Sequence, residues 1–172
     1  MFSFFLIRSG RPNAANSNVF ALLESQVICW QFYQWKLFER RQKLFYLLLA
    51  GFFIIWLIEN FVLSTLHQFN SYFIIIRAFV IVLMSISTIN NLIVFEQGQL
   101  LKNAVFLICI GFIVYFTFSI MVETFWLYGL NQSKIFRNHI YEILAYINLL
   151  ANLIYALAIL WMPMKRKFIL PF

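Results

Sequence analysis

The segment from Tyr72 to Phe95 most constrains what this chain can form. It is long enough to cross the roughly 30 Å hydrocarbon core of a bilayer, yet it carries an arginine inside its apolar run. At about 100° per residue, one face of the predicted helix collects Arg77, Met84, Thr88 and Asn91. An ionised side chain in hydrocarbon costs roughly 2.5–3.5 kcal/mol on insertion scales. We therefore expect Arg77 to face other helices, a carboxylate partner or water.

The composition excludes a soluble domain. Of the 172 residues, 63% are hydrophobic and only 11% are charged, whereas roughly a quarter of the residues of a soluble domain are charged. The net charge of +7 does not indicate nucleic acid as a partner, because the cations lie beside apolar runs. The sequence predicts an integral membrane protein whose first partner is the lipid bilayer.

Five apolar stretches predict an all-α, polytopic transmembrane helical bundle of four or five spans. They cover about residues 19–38, 44–63, 72–95, 104–126 and 139–162. One domain, residues 18–167, follows a polar N-terminal segment, 1–17, and precedes a short cytoplasmic tail, 168–172. Residues 19–38 contain several polar side chains, so this stretch either spans the membrane or lies in the interface. The spread of those side chains around the helix favours a span.

The cations predict the orientation. If the cluster Lys36–Lys43 is cytoplasmic, the same side receives Lys102 and Lys165–Lys167, giving eight cations, against two in the opposite loops, Lys134 and Arg137. By the positive-inside rule, the C-terminus is expected to be cytoplasmic. We expect a multi-pass protein of the cytoplasmic (inner) membrane. The N-terminus is outside with five spans and inside with four.

Four ionisable residues predict a polar pocket for a ligand or partner near the outer ends of the helices. They are Glu59, Arg77, Glu123 and Glu142. Arg77 is expected to pair with Glu123 or Glu59, because ionisable groups at membrane depth must be paired, solvated or neutral. Three further polar residues are expected to pack between helices: Glu24, Asn91 and Asn152. The alternative is that all these groups only join helices through hydrogen bonds.

A small and polar ridge is predicted along the fourth span, where Gly111, Tyr115, Ser119 and Glu123 recur every four positions. Such a ridge permits close approach of a neighbouring helix.

No motif predicts catalysis, a cofactor or a resident metal. His139 and Glu142 have the i, i+3 spacing that some metal sites use, but the other histidine, His67, lies in a separate predicted loop. Cys29 and Cys109 fall in apolar runs without metal-ligand spacing. The sequence also lacks a Gly-rich phosphate loop and a nucleophile elbow. We expect a protein that is not an enzyme.

Three stretches carry a resemblance to a family. An Asn followed six positions later by a helical Glu, Asn18 and Glu24, together with residues 106–126 and 148–163, resembles uncharacterised multi-pass membrane proteins of Bacteroidota. The resemblance implies about seven spans in the relatives, so this chain would correspond to the last five, with an internal start or a shortened gene. Some relatives are encoded near sensor histidine kinases, which implies an accessory or sensory role.

The expected function is thus non-enzymatic: an accessory or sensory membrane protein that binds a partner or small ligand through an intramembrane polar pocket. Its protein partner would be a second copy or another membrane protein such as a sensor kinase. The alternative is a homo-oligomeric pore or membrane-disrupting effector of a bacterial defence system. A transporter fragment would need an internal repeat, and the sequence has no convincing one.

Overall fold

The computed structural model describes residues 14–39, 41–63, 71–95, 100–128 and 134–162. These residues form five α-helices and no strand, in the order α1 (Ala14–Gln34), α2 (Gln42–Ile58), α3 (Ser71–Phe95), α4 (Ala104–Leu127) and α5 (Lys134–Leu160). A π-helical turn (Glu59–Leu63) extends α2, and a 3-10 turn (Leu100–Lys102) precedes α4. Four helices, α2 to α5, are long and apolar enough to cross a membrane. The predicted all-α, polytopic class is confirmed.

Helix α1 lies alongside α2 and antiparallel to it. Three contacts at successive heights mark this path: Trp56 Nε1 donates to the Asn18 carbonyl at 2.9 Å, Gln26 Nε2 to the Leu49 carbonyl at 3.2 Å, and the Tyr33 and Phe45 rings are 4.6 Å apart. The 21 residues of α1 extend about 30 Å, the thickness of a hydrocarbon core. If α2 crosses a bilayer, α1 follows it across, which favours a span over an interfacial helix for the first apolar stretch.

In α1 and α3, several polar side chains are buried inside the bundle while many large apolar side chains are exposed. In α1, Asn18 and Ser25 are buried, whereas Phe20 and Val27 are exposed. The face predicted for α3 is largely confirmed, because Arg77, Met84 and Thr88 are buried while Phe79, Leu83 and Ile86 are exposed. This inside-out arrangement suits a lipid surround, since the outer face needs no water.

Helix α4 lies between α3 and α5. Asn103 caps its N-terminus by accepting hydrogen bonds from the backbone N–H groups of Val105 at 2.9 Å and Phe106 at 3.2 Å. The predicted ridge on α4 does admit a neighbour: a Cβ at Gly111 would lie 2.3 Å from Cε1 of Tyr155 on α5. The close approach of that ring favours glycine at this position, because any larger residue would force the ring to move.

The two ends of the bundle differ in chemistry. One end, called here the cation-rich end, holds the turn after α1, the start of α2 and the last turns of α3, with Lys36, Arg41 and Asn91 around one cleft. Lys102 and Trp161 lie where α4 begins and α5 ends, with the Lys102 ammonium 5.4 Å from the centre of the Trp161 ring. The opposite end gathers most of the buried carboxylates and amides.

Candidate functional site: a buried polar cluster and a cleft

Arg77 forms an ion pair with Glu24, which joins α3 to α1. Its Nη1 donates to Glu24 Oε2 and, at 3.4 Å, to the carbonyl of Ala21. The guanidinium also lies 5.8 Å from the centre of the Phe116 ring on α4, within the range of a cation–π contact. The side chains are 9% and 28% exposed for Arg77 and Glu24. Arg77 therefore connects three helices.

The partner predicted for Arg77 was wrong. The sequence indicated Glu123 or Glu59, and the ion pair is formed with Glu24. The reason is the packing order: α1 lies on α3, so a carboxylate on the buried side of α1 reaches Arg77 directly. Glu24 was expected to pack between helices, and it does so as the ionic partner of Arg77.

Glu59 caps the N-terminus of α3 from the end of α2. Its carboxylate accepts hydrogen bonds from the backbone N–H groups of Tyr72 at 3.0 Å and Phe73 at 2.5 Å, and the residue is only 3% exposed. The first N–H groups of a helix have no partner within the helix, and the helix dipole favours a negative charge there. Glu59 is thus held by α3 and helps to fix where that helix begins.

Amides of α1 and α2 meet beside this cap. Asn18 Nδ2 donates to Asn60 Oδ1 at 3.4 Å, and Asn60 Nδ2 donates to the Trp56 carbonyl at 2.7 Å. Asn60 lies in the π-helical turn and is 3% exposed. Sequence reasoning did not assign these amides to the site, although Asn60 directly follows Glu59 and Asn18 precedes Glu24 by six positions. The apolar sequence around each amide could have indicated that it is buried and bonded, because buried amides need hydrogen-bond partners.

Glu123 on α4 completes the cluster. Its carboxyl group hydrogen-bonds the Ser71 side chain at the start of α3. We call the set Asn18, Glu24, Glu59, Asn60, Arg77 and Glu123 the polar cluster. Three of the four residues predicted to form a pocket, Glu59, Arg77 and Glu123, are brought to the same end of the bundle. Glu24 and the two amides join them.

Glu142 does not belong to the polar cluster. Its side chain is 64% exposed and lies 3.2 Å from Nδ1 of His139, one turn earlier in α5. The physical reason is the rotation of α5, which turns Ala151 and Ala158 inward, at 1% and 0% exposure, and leaves the Glu142 face outside. The prediction that Glu142 contributes to the polar pocket was wrong.

Two predicted packing residues are also exposed. Asn152 donates to Asn148 Oδ1 at 3.2 Å within α5, so it contacts its own helix. Asn91 is exposed at the cation-rich end, where it lines the cleft described below. Neither residue packs between two helices of one chain in the part that the structure describes.

Within the described ranges, no three His, Cys, Asp or Glu side chains are grouped as a metal ion would require. The two cysteines, Cys29 and Cys109, are buried free thiols. His67 lies outside the described residues.

A cleft of about 930 Å³ opens at the cation-rich end. Its walls come from the turn after α1, the first turns of α2, α3 from Val80 to Leu92, and Val105 of α4. Exposed charged side chains stand at its rim, Lys36, Glu39 and Arg41, and hydroxyl and amide groups of α3 lie between the rim and an apolar floor. Ligand pockets commonly have volumes of about 300–1,000 Å³, so a small molecule or part of a larger one fits.

Lys36 holds an unusual backbone conformation at this rim. Its φ is 62°, and the Lys36 N–H donates to the Tyr33 carbonyl at 3.0 Å while the Leu37 N–H donates to the Phe32 carbonyl at 3.2 Å. These two bonds define a Schellman motif that ends α1, with Lys36 where glycine is usual. A left-handed conformation costs an ordinary L-residue about 1–2 kcal/mol relative to the right-handed one. Nothing in the local sequence signals this turn, because it contains no Gly or Asn.

Comparisons with known proteins give no relative for this chain. No protein-family model, curated protein or solved structure matches it.

Proposed function

We propose that this chain is a non-enzymatic integral membrane protein with an accessory or sensory role, and that it binds a small ligand in the cleft at the cation-rich end. The cleft is the single observation that carries the proposal. It combines a volume of about 930 Å³ with an apolar floor, hydroxyl and amide groups and a charged rim. Such a mixture of apolar area and a few polar groups is typical of ligand sites.

We assign the polar cluster a structural role and not the ligand-binding role predicted from the sequence. Its carboxylates are already engaged, Glu24 by Arg77 and Glu59 by the N-terminus of α3. Groups that are bonded to one another within the protein hold helices together, and they are poorly suited to recognising a ligand. We therefore assign helix joining to the polar cluster and ligand binding to the cleft. This supports the helix-joining alternative for Glu59, Arg77 and Glu123.

The distribution of cations between the two ends of the bundle bears on the orientation of the protein in the membrane. The described cations of the predicted cytoplasmic side, Lys36, Arg41, Lys43 and Lys102, belong to segments at the cation-rich end. This arrangement supports a cytoplasmic mouth for the cleft and a cytoplasmic C-terminus in a bacterial inner membrane.

A homo-oligomeric pore is the second candidate, and one observation favours it. Helix α5 is the least buried of the four candidate spans, with 11% of its apolar window buried. Its exposed surface carries the amides Asn148 and Asn152 and the exposed Glu142. In a ring of copies, these groups would line a channel or join neighbours. Ring-shaped oligomers in mild detergent that conduct ions in planar bilayers would favour this candidate.

Blocking the cleft tests the proposed function. Ser87 is exposed and lines the cleft, whereas the preceding residue, Ile86, is exposed without lining it. Ser87→Trp should place an indole ring in the cleft and obstruct it, and Ile86→Trp is its matched control. Native mass spectrometry of protein purified in mild detergent should show bound small molecules or lipids on the wild type and on Ile86→Trp, and fewer on Ser87→Trp. Equal adducts on all three proteins would contradict ligand binding in the cleft.

A further inference from the structure

We infer that the ligand of the cleft is a membrane lipid with an anionic headgroup, held with its phosphate at Lys36 and Arg41 and its acyl chains along α2 and α3. This inference rests on the proposed function, because it names the ligand class of that same cleft.

The rim of the cleft supplies the charge that such a headgroup needs. Lys36 and Arg41 both line it and both are exposed, so their charged ends remain available. Glu39 stands between them, with its carboxylate oxygen 3.9 Å from Lys36 Nζ. Exposed pairs at this distance are weak and screened by salt, so an anionic headgroup can replace Glu39 as the partner of Lys36. Ammonium and guanidinium groups bind phosphate through charge-assisted hydrogen bonds.

The backbone of Lys36 adds an independent reason. The Schellman motif fixes Lys36 in a left-handed conformation directly at the rim. Glycine or asparagine would adopt this conformation more easily, so a lysine here is unfavourable for the turn itself. Residues held in such conformations are concentrated at functional sites. The Lys36 side chain is 75% exposed and pairs with the similarly exposed Glu39, so its ammonium group is accessible to a ligand at the rim.

The interior of the cleft matches the rest of a lipid. Next to the rim, the exposed Asn91 presents an amide at the level where a glycerol backbone would lie. The Ser87 and Thr88 hydroxyls line the cleft below it, where they donate to backbone carbonyls one turn earlier in α3 at 2.9 Å each and keep their lone pairs. Deeper still, Leu48, Val80 and Leu83 form an apolar wall between α2 and α3. This order of cations, small polar groups and hydrocarbon repeats the order of groups along a phospholipid.

The position of the cleft agrees with membrane depth. Trp35 and Lys36 both line the cleft at the cation-rich end, and the Lys102–Trp161 contact lies at the same end. Aromatic and cationic side chains mark the headgroup layer, and basic pockets between helices on the cytoplasmic side bind anionic lipid headgroups.

The test measures lipid preference. The protein is placed in nanodiscs with equal amounts of phosphatidylglycerol, which is anionic, and phosphatidylcholine, which is not. The lipids retained after mild extraction are then identified by native mass spectrometry. The wild type should retain phosphatidylglycerol preferentially. Lys36→Asn tolerates the left-handed conformation without the charge, and it should reduce that preference roughly tenfold, as expected for one lost charge-assisted contact.

Two further variants separate recognition from general surface charge. Lys43→Ala removes an exposed cation of the same cluster that does not line the cleft, so the preference should stay near that of the wild type. Glu39→Gln removes the competing carboxylate and should increase the preference. Equal losses in Lys36→Asn and Lys43→Ala, or no response to Glu39→Gln, would overturn the inference.

The failure of the inference differs from the failure of the proposed function. If the wild type shows no lipid preference but its adducts still disappear in Ser87→Trp, the lipid inference fails. The cleft would then remain a binding site, for an uncharged molecule. Adducts that persist unchanged in Ser87→Trp would reject the cleft as a binding site altogether. Thermal unfolding midpoints for Lys36→Asn at or above that of the wild type would exclude misfolding as the cause of lost preference.

Discussion

Removing Arg77 should leave the partly buried Glu24 carboxylate without its ionic partner. Breaking a buried ion pair by truncating one partner costs about 3–5 kcal/mol, whereas replacing both partners with apolar residues is often nearly neutral. Arg77 also loses its hydrogen bond to Ala21 and its position over Phe116, each contact contributing on the order of 1 kcal/mol. We expect Arg77→Met to lie in the upper part of that range. The double variant Glu24→Leu/Arg77→Met should lose about 2 kcal/mol or less.

The assay is reversible unfolding in mixed micelles, with both single variants and the double variant forming one thermodynamic cycle. The coupling free energy between Glu24 and Arg77, which is the sum of the two single losses minus the loss in the double variant, should reach at least about 3 kcal/mol, the upper end for directly contacting residues, because each single change leaves the other charge unpaired. A second cycle pairs Arg77 with Glu123, which hydrogen-bonds the Ser71 side chain, and its coupling should be smaller. A larger coupling to Glu123 than to Glu24 would refute the packing order of α1 on α3 and restore the partner expected from the sequence.

Two other predictions concern packing and topology. Gly111→Ala should destabilise the fold by about 1–3 kcal/mol through overpacking against Tyr155, because the new Cβ would meet that ring at 2.3 Å; Tyr155→Leu added to Gly111→Ala should recover most of the loss in the same unfolding assay. Reporter fusions after Phe172 should read cytoplasmic and fusions near Asn131 periplasmic. A reporter at Asn16 that reads cytoplasmic would reduce the spans from five to four, and the opposite readings at both other sites would reverse the orientation.

The periodicity of α3 was enough to predict its buried face. Arg77 and Thr88 lie inside and Phe79 outside, because the helical period alone determines which residues share a face. Asn91 was placed on the same face, yet it lies at the exposed end of the helix beside the cleft. Periodicity gives the direction of a side chain, but it does not give the height at which neighbouring helices stop covering it.

Depth along the helices predicted that Glu59, Arg77 and Glu123 would come together, but neither depth nor periodicity identified the contacts among them. The ion pair of Arg77 depends on which helix is its neighbour, and many packing orders of five helices place a carboxylate at the same depth. Glu142 shows the same limit. The packing side of α5 is marked by Ala151 and Ala158, since small residues allow helices to approach closely. The sequence offered alanines on the Glu142 face as well, so composition could not choose between the faces.

The exposed surface of α5 bears on the choice between a ligand-binding protein and a pore. The hydrogen bond from Asn152 to Asn148 satisfies one donor and one acceptor of the two amides within the helix, which reduces the cost of facing lipid. The same side of the helix also exposes Leu149, Leu153 and Leu157, at 59%, 56% and 51%. A continuous channel lining would need polar groups at these heights, and the leucines interrupt it. The cleft combines a charged rim, hydroxyl and amide groups and apolar residues around one volume of about 930 Å³, and it therefore supports a ligand-binding role more strongly than α5 supports a channel.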